Sequence, residues 1–97
     1  MTSMEKKLTE NRLTEVKAAL SAKYRTVDFG GEKFFVATDG AFFRVGVFPG
    51  AMALVIEYAD TEQEARQNAL EDGDRFYLDE TTLDEMLRLM IAEIERC

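Results

Sequence analysis

Residues 32–58 read EKFFVATDGAFFRVGVFPGAMALVIEY, and this stretch decides the fold. Three apolar-rich runs, Glu32–Thr38, Ala41–Phe48 and Ala51–Tyr58, are separated by Asp39-Gly40 and Pro49-Gly50. Asp-Gly between two such runs signals a type I′ hairpin, whose two central residues both take positive φ. Proline cannot take positive φ, so Pro49-Gly50 calls for a type II turn or a longer loop. Tight pairing about the first turn sets Val36 opposite Phe43 and Phe34 opposite Val45. Tight pairing about the second sets Val45 opposite Leu54 and Phe43 opposite Ile56. Alternation then gathers Phe34, Val36, Phe43, Val45, Val47, Met52, Leu54, Ile56 and Tyr58 on one face without a charge. The other face is mixed: Lys33, Phe35, Ala37, Phe42, Arg44, Phe48, Ala53, Val55 and Glu57, with Arg44 diagonal to Glu57.

Outward from this block, Tyr24–Phe29 reads as a further strand ending at Gly30-Gly31. Before it, Leu8, Leu13, Val16, Leu20 and Tyr24 mark one side of a helix over about 4–22, capped by Ser3 or Thr9. After it, Asp60 and Gln63 have capping-box spacing for a helix over Thr61–Leu70. That helix offers only Ala65, Ala69 and Leu70 to a core, and Gly73 is placed to end it. Residues 71–80 read as a loop pinned by Phe76, Tyr77 and Leu78. Thr82 and Glu85 form a second capping box. Leu83, Met86, Leu87, Met90, Ile91 and Ile94 then recur with helical period, the clearest amphipathic stripe in the chain. The expected architecture is a single α+β domain over 1–97, ordered α-β-β-β-β-α-α. It is an antiparallel meander with helices packed mainly on one face. The pattern leaves open which face the second helix covers.

Charge is split along the chain. Residues 1–56 carry eight Lys/Arg and six Asp/Glu, whereas residues 57–97 carry four and thirteen. Between Glu57 and Glu85 eleven carboxylates face only Arg66 and Arg75. Such a surface repels nucleic acid and anionic membrane and suits a basic protein partner. No apolar run is long enough for a membrane span, and the charged start does not read as a signal segment. The one cysteine, Cys97, allows no internal disulfide, which fits a cytoplasmic protein.

The chain has no histidine, which removes the usual general base and the commonest metal ligand. The glycines do not fall in a phosphate-binding pattern, so no cofactor or metal is expected. Asp72-Gly73-Asp74 with Asp79 and Glu80 departs from the calcium-loop template. Glu57 is the one carboxylate placed for acid–base work, but a cross-strand ion pair with Arg44 accounts for it more simply. Two surfaces remain. The acidic band, Glu62, Glu64, Glu71, Asp72, Asp74, Asp79 and Glu80, is expected to bind a basic partner. The mixed sheet face, Phe35, Phe42, Arg44, Phe48 and Val55, is expected to take a partner or form a homodimer unless the second helix covers it.

The leading expectation is a non-enzymatic protein-binding domain, an acidic inhibitor or immunity-type protein. A self-associating structural or regulatory domain is the alternative. A carboxylate-based enzyme or small-ligand binder comes third. In element order and acidity the chain resembles small phage- or mobile-element-encoded inhibitors and bacterial toxin-immunity proteins, with no motif shared.

Overall fold

The computed structural model describes residues 2–29 and 34–96. The turn expected at Gly30-Gly31, the face assignment of Lys33 and the terminal thiol of Cys97 lie outside the described residues. Helix α1 (Ser3–Lys23) leads into strands β1 (Arg25–Asp28), β2 (Phe34–Ala37), β3 (Phe42–Val47) and β4 (Ala53–Ala59). Helix α2 (Glu62–Arg66), strand β5 (Glu71–Tyr77) and helix α3 (Leu83–Glu95) follow. The strands form one antiparallel sheet in chain order. The class, the meander and the sequence of helices are those expected. The addition is β5, on a segment expected to be a loop.

The charge-free face carries the main core. Val36, Phe43, Val45, Leu54, Ile56 and Phe76 of the sheet meet Val16 and Leu20 of α1 and Met86, Met90 and Ile94 of α3. The α3 stripe splits by depth: Met86, Met90 and Ile94 are buried, while Leu83, Leu87 and Ile91 pack at its margin. Helix α1 is capped by neither candidate but by Thr2, one residue before Ser3. Thr2 accepts from the Glu5 amide, and Glu5 reaches back to the Thr2 amide. Thr9 is instead fully buried, its hydroxyl donating to the Glu5 carbonyl at 2.8 Å. Leu8, counted in the stripe, is 48% exposed. Two long-range bonds tie α1 down. Arg12 Nη1 donates to the Thr81 carbonyl and the Tyr24 hydroxyl to Glu95 Oε2, both at 3.0 Å.

Turn chemistry departs from the expected at one of the two hairpin turns. Asp39-Gly40 is not a type I′ turn, because neither residue has positive φ. The Thr38 hydroxyl accepts the Ala41 amide at 3.1 Å, so a side chain does what the turn backbone would have done. The β2–β3 register survives, with Val36 opposite Phe43. At Pro49-Gly50 both expected features combine. Gly50 has φ of 82°, as a type II turn requires, within a four-residue connection closed by Phe48 N–H donating to the Ala53 carbonyl. The longer connection slides β4 by two residues: Val45 faces Ile56 and Phe43 faces Tyr58. A shift of two keeps every side chain on its face, which is why the core face is the one that alternation marks out.

Helix α2 is a short turn. Thr61, not Asp60, caps it by accepting from the Glu64 amide at 3.1 Å. The chain leaves it through Asn68, at φ of 59°, five residues before the glycine expected to end it. Those five residues let the chain reverse and pair along β4 as β5. The new strand carries a bulge. Val55 faces Arg75 and Glu57 faces Asp72, so Gly73 and Asp74 together oppose Ile56. Gly73 is required by close approach. A Cβ there would stand 2.9 Å from the Ile56 carbonyl oxygen and against Glu93 Oε1.

These contacts set an order of sensitivity to mutation. Met90→Ala, at a fully buried α3 position, is expected to cost about 2–5 kcal/mol, and Leu87→Ala at the margin less. Gly73→Ala is expected to cost about 1–3 kcal/mol by overpacking against a strand. Gly40→Ala, with nothing within 4 Å, is expected to stay within about 0.5 kcal/mol of wild type. Urea melts of the four variants test the order.

Candidate functional site: the acidic edge and the mixed face

The mixed face is largely covered. Ala65 of α2 packs with Phe35 and Ala59, and Val27, Phe29, Phe42 and Leu70 close around them. Phe35 is 0% exposed and Val55 8%. Phe42 and Phe48 are half-buried. The Arg66 guanidinium lies 4.6 Å from the Phe29 ring centroid, and that of Arg75 lies 4.2 Å from the Phe48 ring. Helix α2 therefore covers the mixed face at one end, and Arg75 shields it at the other. The sequence pattern did not reveal this division because α2 has only one buried residue, Ala65.

Arg44 organises the middle of that face. Its Nη2 lies 3.0 Å from Glu57 Oε1, and its Nη1 donates to Asn68 Oδ1 at 2.7 Å. The slid register sets Arg44 directly opposite Glu57, where diagonal placement was expected. On the other side Glu57 faces Asp72. Like charges directly opposed in a sheet are unfavourable, so Arg44 offsets a repulsion built into the β4–β5 pair. Asn68 had no sequence signal for this role. Its positive φ, at the exit of α2, is what brings its amide to Arg44.

The acidic band falls into two groups. Glu62 and Glu64 sit on α2, where Glu62 pairs with Arg66 at 2.8 Å and Glu64 accepts from the Thr61 hydroxyl at 2.9 Å. Glu71, Asp72 and Asp74 lie on β5, and Asp79 and Glu80 in the turn after it, all five exposed. None of these five forms an ion pair with a described residue. Among the described residues no strand pairs with the outer side of β5, which is the last strand of the sheet. Beside it, on the α3 side, runs a groove of about 460 Å³. Asp74, Tyr77 and Glu80 line it from the strand and turn, Leu89 and Ala92 from α3, and Arg96 from the cap that ends α3. Among the described residues no three His, Cys, Asp or Glu side chains gather to hold a metal.

At the bulge the Asp74 amide donates to Glu93 Oε1 at 3.4 Å. Burial pushes the Glu93 carboxyl above its ordinary value of 4.5, and the Asp74 charge adds to this. The Asp74 amide and Arg96 pull the other way and do not cancel it. No family model, curated protein or solved structure matches the chain. No helix among the described residues is long and apolar enough to cross a membrane.

The Glu93 shift fixes a pH dependence. A carboxyl whose folded pKa is raised holds its proton more tightly in the folded chain. The stability this gives is complete below the unfolded value, near 4.5, and is lost as pH rises through the folded value. Glu93→Gln removes that loss. The variant's stability relative to wild type is therefore expected to rise between pH 4.5 and 7. Urea melts of both proteins across that range test it, and a constant difference would refute the assignment.

Proposed function

We propose that this chain is a non-enzymatic, cytoplasmic protein-binding domain. Its acidic surface occupies a basic site on a partner, in the manner of an inhibitor or immunity-type protein. One observation carries the reading: Glu71, Asp72, Asp74, Asp79 and Glu80 crowd one sheet edge and its turn, exposed and unneutralised. Solubility asks for dispersed charge of both signs, whereas these five share one sign. A rigid acidic surface can stand in for a phosphate track and speed encounter with a basic groove. The same charge disfavours direct contact with nucleic acid or anionic membrane. Self-association through the mixed face has less to draw on. Phe35 and Val55 are buried within the chain, and Phe48 lies under Arg75.

The reading separates binding from folding. Glu71→Gln, Asp72→Asn, Asp79→Asn and Glu80→Gln are the substitutions of choice. Glu62 and Glu64 are set aside because each makes a local contact on α2. The quadruple variant is expected to keep its stability within about 0.5 kcal/mol or gain slightly, since Asp72 no longer faces Glu57. A basic partner should associate about tenfold more slowly and lose part of its salt sensitivity. Low-salt pull-downs with both proteins, followed by association kinetics on any captured partner, test this. Equal capture and equal rates would make the acidic surface a solubility feature.

A further inference from the structure

We infer that the open edge of β5 accepts an extended segment with basic ends and an apolar centre, which adds to the sheet as a sixth strand. This rests on the acidic surface being the partner-binding surface, and it specifies how the partner is held. Strand addition requires outward-facing backbone groups, side-chain room beside the edge, and a chemistry that selects the incoming strand.

The backbone groups follow from the ladder. Leu78 N–H donates to the Met52 carbonyl at 3.0 Å. Antiparallel pairs alternate between hydrogen-bonded and non-bonded, so Phe76 and Leu78 turn their groups inward to β4. Arg75 turns both of its groups, and Tyr77 its N–H, to the open edge, while the Tyr77 carbonyl accepts the Glu80 amide at 3.1 Å within the following turn. These two residues lie in the straight part of β5, beyond the bulge at Gly73 and Asp74. The room is the groove between β5 and α3, where Leu89 is 38% exposed and Ala92 is exposed. A strand about 4.8 Å outside β5 would send alternate side chains into it. The selection is electrostatic. Glu71, Asp72 and Asp74 lie at one end of the Arg75–Tyr77 stretch, and Asp79 and Glu80 at the other. Within the stretch the Arg75 guanidinium is drawn aside onto Phe48. Acid at both ends and Leu89 and Ala92 between favour a segment that is basic at both ends and apolar in the middle. The opposite edge, β1, is only four residues long.

The probe is acetyl-Lys-Lys-Val-Thr-Val-Lys-Lys-amide, compared with the same peptide N-methylated at its three central amides. The charge is identical, but the second peptide cannot donate along a strand. Binding to the intact chain is read by fluorescence anisotropy at low salt, and amide hydrogen exchange is followed in the complex. The parent peptide should bind at least tenfold more tightly than the methylated one, with slowed exchange at Arg75 and Tyr77. Ala92→Arg, an exposed helix position that blocks the groove, should weaken the parent peptide about tenfold while leaving the melting temperature unchanged. Equal binding of the two peptides would overturn strand addition and leave the acidic-surface reading standing. Failure of both peptides to bind would overturn both. Protection of Arg75 and Tyr77 in a dimer of the protein alone would assign the edge to a second copy and overturn the proposal.

Discussion

The structure depends on β4 being buried on both sides. Ala53, Leu54 and Ile56 are 0% exposed and Val55 8%, four consecutive residues that alternate between faces. A strand of this kind cannot sit in a one-sided sheet. Helices α1 and α3 cover Leu54 and Ile56 on one face. On the other, Ala53 and Val55 lie where Tyr77 and Arg75 pair across from them, and Phe48 is held under the Arg75 guanidinium. The thinness of α2 is thereby explained. It need cover only the end near Phe35 and Ala59, because a neighbouring strand shields the rest with a long cationic side chain.

Strand β5 is in turn held by a narrow fit. Its bulge sets a glycine over Ile56, close enough to leave no room for a Cβ, with the Glu93 carboxylate beneath accepting the Asp74 amide. The bulge reverses the face parity along the strand. Asp72 and Arg75 share the mixed face although they are three positions apart, a spacing that puts residues on opposite faces of a regular strand. Without it Arg75 would not reach Phe48 while Asp72 faces Glu57. The cost is a half-buried carboxyl near a second acid, which appears as the raised Glu93 pKa.

Much of this was legible in residue order, and each failure has its own physical cause. The core face could be read because alternation is insensitive to a two-residue slide, so Phe43, Val45, Leu54 and Ile56 kept their side when the β3–β4 register moved. The α3 stripe and its Thr82 cap could be read because helical periodicity and capping are local. Strand β5 could not. EDGDRFY has acidic, turn-like composition, and its bulge breaks the alternation that would have marked a strand. It forms because β4 offers a buried partner. That is a tertiary reason, invisible within the segment itself. The Asp39-Gly40 turn failed differently: the Thr38 hydroxyl competed for the Ala41 amide, and a dipeptide signal does not weigh its neighbours. The residues of the acidic surface were all legible. Their gathering along a free sheet edge was not, because the edge exists only once β5 does.

An acidic sheet edge also has a purely protective explanation. Open edges invite pairing with further copies of the same chain, and charged residues and bulges are the usual defences. The edge of β5 carries both, with Glu71, Asp72 and Asp74 beside a bulge. Protection and recognition, however, are not alternatives here. Two identical copies pairing edge to edge bring like charges together, so the acids oppose a second copy in almost any register. The same field lowers the free energy of an approaching basic strand. A feature that only protected could be spread along the strand as lysine, proline or mixed charge. What is found is charge of one sign at both ends of a straight stretch whose middle faces Leu89 and Ala92. On the proposed reading that arrangement discriminates by the sign and position of charge on the incoming segment, which protection alone does not require.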